Sequence, residues 1–394
     1  MKTRKIFHNL LKEIDNNQII LLIGARQVGK TTLMKQVRER ISKSYDTYFL
    51  NLEDPDIKSN LNTHPNKLFD ITGTKNTDKQ VIFIDEIQYL DNPTNFLKYI
   101  FDEYKDNVKL YVSGSSSFYI DQKFKDSLIG RKKVYNIHTL DFEEFLDFKN
   151  ENNLKRAIFQ NKKIPILEKY KLESLFIEYI TYSGYPEIVL FEDFSQKINR
   201  LSEFTLDYIK KDIYDSNIAD IDKFLNILKT LANQTGELLN MSEIANSFNL
   251  SLPTVEKYIY IMQKSFHIAL IRPFYSNIRK ELSKMPKVYF YDLGFRNSLL
   301  KNFDNINNRL DKGGYLENIV WREFLFTYGL DNIKYWRTIS KNEVDFIIND
   351  NKAYESKFSE KLIKESKYKS FTDKYPSFDL EFITYNNLFE KMFL

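Results

Sequence analysis

Several short, continuous runs of apolar residues occur along this chain, and each predicts a buried strand of a parallel sheet. The runs are Ile19 to Ile23, Val81 to Ile84 and Leu110 to Val112, and the mixed segment Asp46 to Leu52 predicts a further strand. A helix is predicted to begin shortly after the first run, near Leu33. Strands that alternate with helices predict an α/β fold built on a parallel sheet.

The first apolar run leads into a loop with the residue types that hold a phosphate chain. Its nine residues are Gly24, Ala25, Arg26, Gln27, Val28, Gly29, Lys30, Thr31 and Thr32. The glycines let the backbone curl so that successive N–H groups point inward, and the helix that follows adds the positive end of its dipole. Lys30 supplies a charge for the β- and γ-phosphates, and Thr31 a hydroxyl that can ligate a magnesium ion. The loop therefore predicts a site for a nucleoside triphosphate with Mg²⁺.

Two carboxylates, Asp85 and Glu86, end the second apolar run. An apolar strand that ends in Asp-Glu downstream of a phosphate loop is a Walker B pattern. On a strand neighbouring the loop, Asp85 is expected to hold the magnesium ion, and Glu86 to orient and deprotonate the attacking water. Hydrolysis is therefore the expected reaction.

Two further segments add candidates to the same site. The third run ends in Ser113 to Ser117, and we expect Ser115 to contact the γ-phosphate or its attacking water. A serine-rich turn without such a role is the alternative. Arg131 follows a glycine and precedes two lysines. It is expected either to stabilise transition-state charge on the nucleotide of a neighbouring subunit in a homo-oligomer, or to lie in a solvated basic patch.

Together these motifs resemble those of the AAA-type P-loop ATPases of bacteria and archaea, over residues 15–150. The family's motifs read G-x-R-Q-x-G-K-T, D-E-I-Q, T/S-G-S-S and L-x-G-R, and here they are Gly24 to Thr31, Asp85 to Gln88, Ser113 to Ser116 and Leu128 to Arg131. Ala25 stands where the family commonly has proline. The resemblance implies an adenine nucleotide, so ATP and Mg²⁺ are the expected cofactors and ATP hydrolysis the expected activity.

Composition limits the rest of the interpretation. The 394 residues suffice for two or three domains, because single hydrophobic cores stop growing at roughly 250 to 300 residues. The absence of cysteine excludes disulfides, thiolate zinc sites and a cysteine nucleophile. A net charge of +4 permits nucleic-acid binding without requiring it. No apolar stretch has the length of a signal peptide or a membrane span, so we expect a soluble cytoplasmic protein.

The middle of the chain is predicted to be mostly helical. Residues 151–235 show helical spacing and many charges, as in a lid or connector. Between Asn240 and Gln263 two short helices joined at Asn249 predict a helix-turn-helix, and residues 236–284 are expected to form a winged helix. The exposed face of its second helix carries a mixed set of side chains: Thr254, Glu256, Lys257, Tyr260 and Lys264. This helix is expected either to contact DNA or to have a purely architectural role.

The last third contains a second candidate site, made of three carboxylates and a lysine. Glu317 lies on a predicted helix beside apolar residues, which indicates partial burial. Asp345 lies on one strand of a predicted hairpin, and Glu355 and Lys357 share one face of the other strand. These groups offer ligands for a second Mg²⁺ or a Mn²⁺, and an ammonium group that could activate water.

The same segment resembles the PD-(D/E)XK nuclease fold and the domain of unknown function that usually follows this ATPase. The family pattern E-N-x-V, Y-x-R, E-V-D-F and E-x-K is matched by Glu317 to Val320, Tyr335 to Arg337, Glu343 to Phe346 and Glu355 to Lys357. The resemblance leaves three interpretations open: an active nuclease, a nucleic-acid-binding relic of one, and a structural cluster of carboxylates.

The expected architecture is a parallel α/β ATPase domain (1–150), a helical connector (151–235), a winged helix (236–284) and a nuclease-like α/β domain (285–394). ATP hydrolysis is expected to be coupled to DNA binding or processing by the C-terminal domains. The alternative is a nucleotide-controlled switch or scaffold that binds a protein partner and carries a catalytically silent nuclease-like domain.

Overall fold

The computed structural model describes residues 2–77, 79–114, 128–159, 164–274, 284–348 and 351–393. The chain divides into two compact units. The first comprises residues 1–139 together with 264–266, and the second residues 140–263 together with 267–394. The finer division into four domains stays a prediction.

The first unit is a parallel sheet with helices between its strands. The strands are β1 (Ile19–Gly24), β2 (Asp46–Asn51), β3 (Gln80–Asp85), β4 (Val108–Gly114) and β5 (Lys132–Ile137). The helices are α1 (Phe7–Lys12), α2 (Lys30–Ile41), α3 (Pro55–Thr63), α4 (Lys67–Thr72) and α5 (Pro93–Tyr104). All strand pairs are parallel, which confirms the predicted α/β fold with a parallel sheet.

The order of the strands, β2–β3–β4–β1–β5, corrects one expectation. The strand that carries Asp85 is not an immediate neighbour of the strand that leads into the phosphate loop, because β4 lies between them. Every residue of β1, β3 and β4 is buried, as expected of central strands covered on both faces. The central position of β4 therefore places the end of that strand between the loop and the two carboxylates.

The second unit begins with helices. They are α6 (Phe142–Phe148), α7 (Asn152–Phe159), α8 (Ile166–Tyr182), α9 (Pro186–Leu190), α10 (Phe194–Asp215), α11 (Ile221–Asn233), α12 (Met241–Ser247) and α13 (Leu252–Lys264). After α13 the strands β6 (Ile268–Ile271) and β7 (Lys287–Phe290) pair antiparallel. Residues 275–283, which connect these two strands, lie outside the described residues.

A four-stranded sheet and further helices complete the second unit. The helices are α14 (Leu293–Leu300), α15 (Lys312–Tyr328), α16 (Lys369–Thr372) and α17 (Leu388–Phe393), and the strands are β8 (Ile333–Arg337), β9 (Glu343–Ile348), β10 (Lys352–Lys357) and β11 (Asp379–Thr384). The strand order is β11–β10–β9–β8; β9 is antiparallel to both of its neighbours, and β10 and β11 are parallel. The hairpin predicted for β9 and β10 is confirmed.

An aromatic cluster forms much of the core of the second unit. Phe142, which is 1% exposed, packs against Phe176, Tyr179 and Phe393 with ring centroids 5.2, 5.5 and 5.0 Å away. Large buried rings contribute strongly to stability because each removes a large apolar area from water. The cluster thus joins α6 and α8 to the carboxyl-terminal helix α17. Among the helices in the described ranges, none combines the length and the apolar character needed to cross a bilayer.

We expect Phe142→Ala to destabilise the second unit by about 3–5 kcal/mol, because the change leaves a cavity among rings that cannot collapse onto it. Thermal unfolding of the full chain measures the effect. Tyr214→Ala is the control, since that ring is 82% exposed and its removal should leave the melting temperature nearly unchanged. Equal shifts for both variants would contradict the assignment of this core.

Candidate functional site

Two glycines shape the loop between β1 and α2. A Cβ on Gly24 would lie 2.1 Å from the carbonyl oxygen of Ile137, so only glycine fits where β1 passes β5. Gly29 adopts a φ of +93°, a conformation that favours glycine, and α2 begins at the next residue. The amino end of a helix is thereby brought to the end of a buried strand, an arrangement that binds anions.

The lysine and threonine of this loop are held by hydrogen bonds to the loop itself and to the end of β3. Lys30 is buried, and its ammonium group donates to the carbonyl oxygens of Gly24 at 2.9 Å and Ala25 at 2.6 Å. Thr31 Oγ1 donates to Asp85 Oδ2 at 2.6 Å. The loop and the end of β3 are therefore joined by a direct hydrogen bond, although β4 separates their strands.

Ser113, at the end of β4, holds the two carboxylate residues in place. Its hydroxyl donates to Asp85 Oδ1, and its oxygen accepts the backbone N–H of Glu86 at 3.1 Å. Ser113 is fully buried. Sequence reasoning identified this serine cluster and selected Ser115, which lies outside the described residues, so a role for Ser115 stays a prediction. Knowing that β4 lies between β1 and β3 would have pointed to Ser113.

Glu86 is held in an uncommon backbone conformation, with a φ of +59°. Such a residue costs on the order of 1–3 kcal/mol and persists only when its surroundings enforce it. Here the backbone N–H is bound by Ser113, and the side-chain amide of Gln88 donates to Glu86 Oε2. Gln88 belongs to the D-E-I-Q motif, but sequence reasoning gave it no role. The Glu86 carboxylate is thus oriented through both its backbone and its side chain.

The donor set around Asp85 suits a magnesium ion. Burial raises the pKa of Asp85, and the hydrogen bonds from Ser113 and Thr31 act in the opposite direction. A nearby cation favours the charged form of such a carboxylate. Mg²⁺ prefers oxygen ligands, and a carboxylate oxygen and the Thr31 hydroxyl oxygen already converge here. The two residues predicted to hold the metal therefore fit it.

Arg4, in the amino-terminal segment, forms a hydrogen bond to the phosphate loop. Its Nη1 donates to the carbonyl oxygen of Val28 at 2.9 Å, and its Nη2 to that of His138 at 3.0 Å. Charge-assisted hydrogen bonds of this kind are stronger than neutral ones. Sequence reasoning noted only that this segment is basic, and no local pattern shows that Arg4 reaches the loop.

Arg131 lies near the amino-terminal ends of β1 and β5, whereas the loop follows the carboxyl-terminal end of β1. Its carbonyl oxygen accepts the N–H of Ile19, which begins β1, whereas the loop leaves from Gly24 at the other end of that strand. At the usual rise per residue this separation is roughly 17 Å. The guanidinium forms a two-point ion pair with Asp102, at 2.7 and 3.2 Å. Arg131 is therefore remote from the loop of its own chain.

The second unit brings together the four residues predicted for the other site. Asp345 on β9 and Glu355 on β10 face each other, and the N–H of Asp345 donates to Glu355 Oε2 at 3.2 Å. The Lys357 ammonium contacts Glu355 Oε1. Glu317 on α15 is partly buried, as predicted, with a side chain 14% exposed. We call Glu317, Asp345 and Glu355, together with the neighbouring Glu343 on β9, the carboxylate cluster.

A lysine that sequence reasoning did not single out lies inside this carboxylate cluster. The ammonium of Lys287 on β7 is 2.7 Å from Glu317 Oε1, 2.6 Å from Glu343 Oε1 and 3.1 Å from Asp345 Oδ1. The side chain of Lys287 is 2% exposed. Burial acts to lower its pKa, but the surrounding acids, Glu317 foremost, raise it well above the ordinary value. Lys287 is therefore a charged group held within the protein.

The protonation of the cluster follows from burial and mutual repulsion. Burial and the charge of Asp345 raise the pKa of Glu317 to about 7 and that of Glu355 to about 8. Burial also acts to raise the pKa of Asp345, but Lys287, Lys357 and the hydrogen bonds from Ser356 lower it. The pKa of Asp345 is thus shifted in the opposite direction from those of the two glutamates, because both lysines favour its charged form.

A second metal ion does not fit this arrangement. In the part of the chain that the structure describes, no group of three or more carboxylate, histidine or cysteine side chains is placed to hold a metal. Glu317 and Asp345 instead direct oxygens at the Lys287 ammonium. The expected second Mg²⁺ or Mn²⁺ therefore finds no support, because an internal cation lies where the ligands converge.

The parallel sheet, the phosphate loop and the paired acids resemble those of P-loop ATPase cores. Residues 16–146 match the family model described as an AAA domain. Residues 173–305 match a model described as a domain of unknown function (DUF8612). The AAA-type resemblance of the amino-terminal part is thereby confirmed.

Similar proteins come from archaea and bacteria. An uncharacterized protein of Methanocaldococcus jannaschii is 28% identical, over 99% of this chain and 88% of its own length. One of Haemophilus influenzae is 25% identical, over 86% and 81%. Among solved structures, a Thermotoga maritima RuvB mutant has a TM-score of 0.34 at 17% identity, covering 67% of this chain and 85% of that one. Aeropyrum pernix ORC1 in complex with DNA has a TM-score of 0.32 at 12% identity, covering 75% and 91%.

We expect Ser113→Ala to weaken binding of an ATP analogue in the presence of Mg²⁺ by about tenfold, because it leaves buried groups on Asp85 and Glu86 unpaired, at about 1–3 kcal/mol. Titration of a fluorescent ATP analogue, with and without Mg²⁺, measures this. The exposed Ser42→Ala serves as control. If Ser113→Ala binds as tightly as the unchanged protein, Ser113 does not support the site.

Proposed function

We propose that this protein is a Mg²⁺-dependent ATPase. The observation that carries the proposal is the shared carboxylate of Asp85, which accepts hydrogen bonds from Thr31 of the phosphate loop and from Ser113 of the intervening strand. This contact supports the proposal because it involves oxygen atoms of the kind that Mg²⁺ prefers, next to a loop whose residue types suit phosphate, and Glu86 is the next residue after Asp85.

Each residue then has a distinct task. The backbone N–H groups from Gly24 to Thr31 bind phosphate oxygens, and Lys30 exchanges its two carbonyl partners for the charge of the β- and γ-phosphates. When bound, a magnesium ion on Thr31 and Asp85 supplies further charge neutralisation. Glu86 accepts a proton from the attacking water, and Gln88 and Ser113 hold Glu86 in position.

The partly exposed position of Arg131 supports a role between subunits. Because the backbone of Arg131 lies about 17 Å from the loop of its own chain, a catalytic role of this arginine would be on the nucleotide of another copy. Such a role requires a homo-oligomer and exchange of the Asp102 ion pair for phosphate. The alternative is that the Arg131–Asp102 pair is an ordinary surface ion pair with no catalytic role. Pairs of this kind contribute little to stability.

We expect Glu86→Gln to lower kcat for ATP hydrolysis by at least about 10²-fold while leaving nucleotide affinity nearly unchanged, because it removes only the proton acceptor. Steady-state phosphate release and analogue binding measure the two quantities. Glu103→Gln, an exposed acid on α5, is the matched control and should hydrolyse ATP normally. Full activity of Glu86→Gln would remove this residue from the mechanism.

We further propose that turnover is coupled to DNA bound by the second unit. Helices α11 to α13 followed by the antiparallel pair β6–β7 have the element order of a winged helix. Lysines are concentrated next to the carboxylate cluster, between residues 357 and 374. This lysine segment contains Lys357, Lys361, Lys364, Lys367, Lys369 and Lys374, against Glu360, Glu365 and Asp373. Its buried Tyr368 donates to Glu355 Oε1 at 2.9 Å, which fixes the segment beside the cluster.

Replacing the exposed Lys364, Lys367 and Lys369 together by Gln should weaken DNA binding at least about tenfold. The slope of log K against the logarithm of the salt concentration should become less steep by about 2 to 3. Fluorescence anisotropy with duplex and single-stranded DNA at several salt concentrations measures both. The control replaces the exposed Lys98, Lys210 and Lys229 by Gln, with the same change of charge. Equal losses in both triple variants would contradict a localised DNA site.

The second candidate function is a nucleotide-controlled switch or scaffold that binds a protein partner. It is favoured by the Lys287 ammonium inside the carboxylate cluster, which suits a nuclease-like domain that does not cleave. Stimulation of ATP turnover by DNA at low salt separates the candidates. A rate that is the same with and without duplex, single-stranded and branched DNA would favour the switch.

A further inference from the structure

The Lys287 ammonium donates hydrogen bonds to Glu317 and Asp345 and forms a further ion pair with Glu343. An ammonium has three N–H donors, and three different carboxylates, those of Glu317, Glu343 and Asp345, each lie within 3.1 Å of the Lys287 nitrogen. The three acids come from α15 and β9, so the lysine connects β7 to two other elements. A surface ion pair does not have this geometry, since it leaves donors to water.

The remaining oxygens near this point are also engaged by protein groups. Asp345 Oδ2 accepts from the N–H and the hydroxyl of Ser356, at 3.0 and 2.8 Å. Glu355 accepts from Lys357, Tyr368 and the N–H of Asp345. Tyr289 donates to Glu317 Oε1 at 2.6 Å. A divalent cation would have to displace several of these donors to gather ligands of its own.

The distances to the three carboxylates are in the range expected for an ammonium group. Mg²⁺ draws oxygens to about 2.0–2.1 Å, whereas N⁺–H···O⁻ contacts lie at about 2.7–2.9 Å. The three carboxylate oxygens stand 2.6 to 3.1 Å from the Lys287 nitrogen, the separation that an ammonium sets. A metal at the same point would also face a charged lysine, which repels it.

The backbone keeps Lys287 in this place. The residue pairs with Ile271 in the β6–β7 ladder and forms an isolated bridge with Leu238 on its other side. Its ammonium also lies 5.8 Å from the centre of the Tyr335 ring. A lysine buried on a doubly paired strand cannot swing to solvent without local unfolding of that strand.

We propose that Lys287 is a built-in cation that occupies the metal position of the carboxylate cluster and excludes divalent metal from it. The positive charge that a metal would bring is supplied by the chain itself. Glu317, Glu343 and Asp345 therefore act as partners of a lysine and not as ligands, and the cluster supports no metal-dependent cleavage.

The test counts Mn²⁺ ions bound to nucleotide-free, full-length protein by the loss of the free Mn²⁺ signal in electron paramagnetic resonance. We expect the unchanged protein and Asp345→Asn to bind the same number, because the cluster takes no metal in either. Lys287→Met removes the internal cation, keeps a similar side-chain length, and should add one Mn²⁺ per chain. That ion should be lost again in Lys287→Met/Asp345→Asn. The exposed Lys284→Met is the control and should bind as the unchanged protein does.

Two outcomes would overturn the proposal. One is a lower Mn²⁺ count in Asp345→Asn than in the unchanged protein, a comparison that stays valid even if Lys287→Met fails to fold. The other is a folded Lys287→Met, shown by circular dichroism and an intact melting transition, that binds no additional ion. Any Mn²⁺ held near Asp85 is common to all variants and cancels, so the result is independent of the proposed ATPase activity.

Discussion

The first unit depends on the need to satisfy one buried carboxylate. Asp85 ends a strand surrounded by apolar residues, where an unpaired charge would be costly. Its two oxygens are bound by hydroxyls from the phosphate loop and from the end of β4. Those two hydrogen bonds fix the relative positions of the loop, β3 and β4, and they present oxygen ligands at the point where phosphates are expected. The same contacts thus stabilise the sheet edge and build the site.

The second unit meets the same physical requirement in a different way. Its clustered acids accept hydrogen bonds from hydroxyls and are also paired with the ammonium groups of Lys287 and Lys357. Where Asp85 is held by neutral groups and stays available to a metal, Glu317, Glu343 and Asp345 are paired with an ammonium. The two groups of acids therefore differ in whether a lysine of the chain already occupies the space between the carboxylates.

Much of the first unit was predictable from the order of its residues. Glycine at positions 24 and 29, the lysine and threonine that follow, and an apolar run that ends in Asp-Glu determine strand, loop, helix and chemistry through local rules. Alternation along β9 and β10 likewise placed Asp345 opposite Glu355, since side chains of paired strands face each other with a period of two. These features depend on neighbours in the chain or on a single strand pairing.

What the sequence could not determine depends on contacts between distant segments. The insertion of β4 between β1 and β3 made Ser113 the partner of Asp85, and no local pattern encodes the order of parallel strands. Arg4 reaches Val28, and Lys287 reaches Glu317, across separations that periodicity does not describe. The sequence by itself therefore determined which chemical groups the protein has and which short elements carry them. Only the tertiary structure decided which of those groups are in contact. Buried polar and charged groups need hydrogen-bond partners, and the packing of distant segments determines which partners are near.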